Sequence, residues 1–135
     1  MTFDTKIAVI VRDDLAVWQK LNVTAFTVGG IAGSSDILGE PYEDADGVRY
    51  LPMIVQPIRI YEATAEKLRT VYDRARGREI DFAIYTQDLF GTPHDEANRA
   101  AVKAVKSEAL TLVGLAFRAE RKVVDKIVKG LSLHG

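Results

Sequence analysis

The chain has 135 residues, of which 47% are apolar and 27% charged, so disorder, collagen and coiled coil are excluded as readings of the whole. The length fits one domain, 1–135, and eighteen basic against nineteen acidic residues leave no global basic footprint for nucleic acid. With no cysteine there are no disulfides, thiolate metal sites or cysteine nucleophiles.

Lys6 to Arg12 reads KIAVIVR. It is apolar from Ile7 to Val11, which predicts a strand covered on both faces. The run stops at Arg12-Asp13-Asp14, too early for a leader peptide, and no stretch approaches the roughly 20 apolar residues of a membrane helix. A cytoplasmic protein with no membrane partner is the expectation. Asp13 and Asp14 are natural caps for a helix over about Leu15 to Ile31. Trp18, Leu21, Ala25, Val28 and Ala32 fall on one of its faces. Ala16, Val23 and Ile31 interrupt the polar residues opposite. A helix apolar nearly all round is buried on more than one side. That predicts a homodimer, with part of this helix or the Tyr42–Met53 region at the contact. Gly29 to Gly33 read as the helix end.

Residues 34–52 read as irregular, with a two-residue turn at Asp46-Gly47. Met53 to Tyr61 is an expected strand, and Pro57 places it at an edge or breaks it. Thr64 caps a helix to about Arg76, with Leu68, Val71, Tyr72 and Ala75 inward and Gly77 as its closing residue. Ile80 to Tyr85 is a strand. Thr92 and Pro93 open a third helix as cap and first residue. Leu110 to Phe117 is a buried strand, and a last helix spans about Arg121 to Lys129 before Gly130. Strands alternating with helices imply an α/β sheet covered on both faces.

The densest polar cluster is Thr86 to Arg99. It follows a strand end, where open α/β sheets place ligands. His94 and Asn98 are helical neighbours, as are Asp95 and Arg99. A neutral histidine near a helix start and beside carboxylates suits a general base. The plain alternative is a capping segment with a weak surface ion pair. Arg12 emerges at the same sheet edge, and Lys20 and Asn22 follow on the first helix. His94, Asp95 and a remote His134 do not make a three-ligand zinc site, so no metal is expected. No P-loop lysine follows Gly29 to Ser35, and no other cofactor motif is present.

KIAVIVRDDL (Lys6 to Leu15) with the small-residue helix after it resembles the opening of the peptidyl-tRNA hydrolase type II family. LTLVGLAFRAERKVVDKIVKGLSL (Leu110 to Leu133) resembles its ending. Asn22 to Phe26 and the Thr86 to Arg99 cluster look like an uncharacterised bacterial branch of that superfamily. The resemblance implies a three-layer α/β/α fold with a mixed four-stranded sheet, often dimeric. It carries the family's lysine to Lys20 and its acidic turn to Asp88, while the family's helix histidine falls near Thr27.

The expectation is therefore a hydrolase-derived domain that binds or hydrolyses a small polar or anionic molecule between the first-helix start and the 86–99 loop. In the ester-cleaving form His94 deprotonates water, Asp95 or Asp88 orients it, and Lys20 or Arg12 stabilises an oxyanion. Arg12, Asn22, Thr86, Thr92, Asn98 and Arg99 are the expected ligand-binding residues. The alternative is a non-catalytic dimeric interaction module. Genuine peptidyl-tRNA hydrolysis stands third, because tRNA affinity rests on phosphate neutralisation and the chain is near neutral.

Overall fold

A computed structural model describes residues 3–135; Met1 and Thr2, the start of the segment read for a leader, lie outside the described residues. In chain order the elements are β1 (Thr5–Arg12), α1 (Val17–Ser34), β2 (Tyr42–Glu43), β3 (Arg49–Tyr50), β4 (Ile58–Ala63), α2 (Ala65–Gly77), β5 (Phe82–Thr86), α3 (Asp95–Lys103), β6 (Leu112–Glu120), α4 (Arg121–Ile127) and β7 (Ser132–Leu133). Two 3-10 turns, Gln87–Gly91 and Ser107–Ala109, flank α3.

The main sheet is mixed, in the order β5-β6-β1-β4-β7. β1 runs parallel to β4 and antiparallel to β6, with Val9 between Ile60 and Ala116. β6 also pairs antiparallel with β5, so β1, β4 and β5 point the same way. The expected four strands become five. Gly130 turns the chain after α4 at φ 92°, and Ser132–Leu133 then pair with Glu62 and Tyr61. A two-residue strand leaves no alternation for a sequence pattern to show.

β1 explains its own composition. Ile7, Val9 and Val11 pack beneath α1, while Ala8 and Ile10 face the cluster built by α2 and α4. Both faces are dry, so the strand is apolar at every position. On α2 the inward residues Leu68, Val71, Tyr72 and Ala75 are all buried, as the spacing predicts. Thr64 caps it through Lys67 N. Gly77 is the last helical residue rather than the closing one, and the positive φ falls on Glu79 at 56°.

α1 corrects three expectations. Its buried residues are Val23, Thr27 and Ile31, so it turns the expected face outward. The reason lies on β6. A Cβ on Gly114 would overlap the Val23 side chain, so only a glycine lets the helix sit this close. The Thr27 hydroxyl donates to Val23 O at 2.7 Å, which satisfies the one polar group on that face. The helix also runs through Gly29, Gly30 and Gly33 to Ser34. At its start the cap residue is Ala16, whose N–H is met by Gln19 Oε1 at 2.9 Å, while Asp14 is taken by Arg12.

Residues 37–55 form a ribbon. Gly39 N–H donates to Met53 O, Val55 N–H donates to Ile37 O, and β2 pairs with β3 further out. The expected strand over Met53–Tyr61 is thus divided at Pro57: its first part belongs to the ribbon and its last to β4.

Candidate functional site

The carboxyl ends of β1, β4 and β5 share one edge of the sheet, and α1 begins there. Arg12 closes β1 with a side chain only 16% exposed. Its Nε donates to Asp14 Oδ1 at 2.5 Å, and its Nη2 donates to Gln87 Oε1 at 3.4 Å. The guanidinium therefore ties the β1 turn to the end of β5. Thr86 is buried at that end, and Asp88 stands exposed in the 3-10 turn after it.

The 86–99 segment is held by its own bonds. The Thr92 hydroxyl donates to Leu89 O at 3.0 Å and also meets the Asn98 side-chain amide. It does not cap α3. That role falls to His94, whose Nδ1 accepts from Ala97 N at 3.1 Å. A neutral imidazole that accepts through Nδ1 carries its proton on Nε2, so neither nitrogen is left as a free base. Asp95 and Arg99 form an ion pair at 2.7 Å with both side chains more than 70% exposed. Such pairs contribute a few tenths of a kcal/mol. The structure thus gives His94, Thr92, Asp95, Asn98 and Arg99 structural partners. Asp88 is bonded to none of them among the described residues.

Lys20 turns away from this segment to the other flank of α1. Its Nζ lies 3.0 Å from His134 Nε2, and Glu62 Oε2 lies 4.0 Å from the same nitrogen. An ammonium has only donors, so His134 Nε2 accepts and Nδ1–H donates to Gly135 O at 2.8 Å. The His134 backbone N–H donates to Ile60 O at 2.8 Å, which extends the β7 ladder and holds the ring over β4. Sequence reasoning missed Glu62 and His134 because 114 positions separate His134 from Lys20.

The outer face of α1 is apolar. Val17 is 73% exposed, and Trp18, Leu21 and Phe26 are exposed by more than half. Asn22 interrupts this face, and Lys20 is the one charged residue between Val17 and Ser34. Trp18, Phe90, Tyr85 and Phe26 form an aromatic row along the seam with β5, at 5.0 to 6.1 Å between neighbouring rings. Burial pushes the Tyr85 hydroxyl above its usual range.

The ribbon is the second apolar surface. Leu38, Tyr42, Val48, Tyr50, Leu51, Met53 and Val55 are all exposed. They occupy both faces: the Tyr42–Tyr50 pair lies on one, Leu51 and Met53 on the other. The tip is nevertheless well built. Asp44 Oδ1 accepts from Asp46 N and Val48 N, Oδ2 accepts from the Tyr50 hydroxyl at 2.7 Å, and Gly47 takes φ 85° in the turn. These donors hold the Asp44 carboxyl below its usual range, and the same bond raises Tyr50.

The family described as Protein of unknown function (DUF2000) matches residues 5–135. The chain belongs to this family. A solved structure, that of a protein of unknown function from Agrobacterium tumefaciens strain C58, is similar at 49% sequence identity with a TM-score of 0.97. The match covers 99% of this chain and 100% of that one. No curated protein matches the chain. In this DUF2000 member no helix among the described residues is long and apolar enough to cross a membrane. Among the same residues no three His, Asp or Glu side chains converge as a metal site.

Proposed function

We propose that the protein is a self-associating interaction module. Its unit is a homodimer in which the ribbon of each copy lies against the outer face of α1 of the other. The observation that carries this is the placement of the exposed apolar side chains. Of the large ones among the described residues, four stand on α1, seven on the ribbon, and only Ile58 and Leu133 elsewhere. Scattered exposed apolar residues need no explanation, but contiguous ones mark an interaction site. A projecting ribbon and a flat helix face on one chain are complementary shapes, and a two-fold axis satisfies both at once. Charge fits too. The ribbon segment holds Glu40, Glu43, Asp44 and Asp46 against Arg49, and it meets a helix whose only charge is Lys20. Trp18 reports the contact, being the only tryptophan and 56% exposed in the single chain. Its emission should move to longer wavelength on dilution as the dimer parts. An emission maximum that is already that of solvent-exposed indole, and stays constant across concentration, rejects the reading.

A second reading keeps chemistry at the start of α1, and the Lys20–His134–Glu62 cluster favours it. The resemblance to peptidyl-tRNA hydrolase type II singles out Lys20, and the mixed sheet between helices agrees with it. In this reading Lys20 holds the charge of a small anionic or ester substrate, and His134 orients the ammonium. Turnover of a small activated ester that Lys20→Met abolishes would establish it. Equal rates for the two proteins would reject it.

A further inference from the structure

The opposite end of the sheet carries a second feature, drawn from three separate elements. Lys6 on β1, Arg59 on β4 and Arg121 at the start of α4 line a cleft of about 200 Å³ with Thr5, Gln56 and Pro57. No acid lines it. We propose that this cleft binds a phosphate dianion, free or as the terminal group of a small phosphomonoester.

Charge bookkeeping selects the ligand. Lys6 is already answered by Asp125 at 2.6 Å. Among the described residues no carboxylate lies within ion-pair distance of Arg59 or Arg121. Two uncompensated guanidinium charges face one small space, which matches a dianion and leaves a monocarboxylate one charge short. Guanidinium forks suit tetrahedral oxyanions because each can donate two parallel hydrogen bonds. The cleft is also held rigid. Arg121 Nη1 donates to Phe3 O at 3.2 Å. Gln56 is buried where the ribbon joins β4, and its amide is fully engaged. Its Nε2 donates to Thr5 O at 3.1 Å, and its Oε1 accepts from Arg118 Nε at 3.1 Å. A floor fixed in this way leaves little reorganisation for the ligand to oppose. The volume admits a small molecule and excludes a folded partner.

The test is calorimetric titration of the whole protein with inorganic phosphate and, separately, with glycerol 3-phosphate, alongside amide chemical shifts. Both anions should bind, and the shifts should centre on Lys6, Gln56 and Arg59. The tighter of the two shows whether the dianion comes free or on an organic carrier. Arg59→Gln and Arg121→Gln should each weaken binding about tenfold or more, since each removes charge-assisted hydrogen bonds. Lys103→Gln, at the exposed and distant end of α3, should bind as the parent does. No heat and no shift at millimolar phosphate would overturn the site. So would binding that Arg59→Gln and Arg121→Gln leave unchanged. The shifts on the parent protein keep the test valid if a variant folds poorly.

Discussion

At the scale of single residues, the structure reassigns work among neighbours. His94 takes the capping role that the order of residues gives to Thr92. Thr92 closes the turn before α3, and His94 caps the helix. His94→Ala should therefore lower stability by about 0.5–1 kcal/mol, the low end for a lost cap because α3 is short and exposed. Paired melting curves of the parent and His94→Ala check this; an unchanged midpoint would mean that the cap bond contributes nothing. Asp44 gives a pH prediction. Its carboxyl lies below the usual carboxylate range when folded, chiefly through the Tyr50 hydroxyl and then the Val48 amide. Its contribution is thus fully present above the unfolded carboxylate value and is lost as pH falls through the folded one. The protection of the Asp46 and Val48 amides, measured as exchange relative to the intrinsic rate at each pH, should fall on acidification through that window. In Asp44→Ala, which removes the acceptor, the same amides should lose protection at neutral pH as well. Protection that ignores both changes would remove Asp44 from the turn.

At the scale of elements, legibility followed periodicity. α2 has one apolar stripe, and its inward residues could be read directly. β1 was equally plain, because a strand buried on both faces has only one reading. α1 had two apolar faces, and spacing alone cannot choose between them. The choice is made by Gly114 on β6, ninety-one positions from Val23, where a missing side chain admits the helix. Nothing in the helix itself records that. Gly114→Ala should destabilise by about 1–3 kcal/mol through overpacking, since Val23 and the Ile10 carbonyl leave no room for a methyl group. Val23→Ala in the same protein should recover part of the loss. Urea denaturation of the two single variants and the double variant measures the coupling. Strictly additive losses would place the helix contact elsewhere. The ribbon was legible only at its tip, where Asp46-Gly47 is a turn signal. Its exposed flanks carry the apolar content of buried strands, so pattern could not reveal that they project.

At the scale of the molecule, the α/β class follows from the alternation of elements and the mixed sheet is what the resemblance implies, whereas the strand order follows from neither. β6 comes late in the chain but lies between β5 and β1, a placement fixed by long-range pairing. The candidate groups divide in the same way. Those close in sequence, Thr86 to Arg99, were easy to list and turn out to bond one another. Those far apart, Lys20 with Glu62 and His134, or Lys6 with Arg59 and Arg121, meet only once the sheet is formed. The central claim belongs to this scale, because the proposed homodimer is what covers both apolar surfaces at once. A typical stable interface buries about 800 Å² per partner, on the order of a tenth of the 8645 Å² that this chain exposes. Sedimentation velocity of the parent and of a Leu51→Glu, Met53→Glu variant, both at tens of micromolar, tests it most directly. The account predicts the mass of two chains for the parent and of one chain for the variant, with identical circular dichroism. A parent that sediments as a single chain would contradict it.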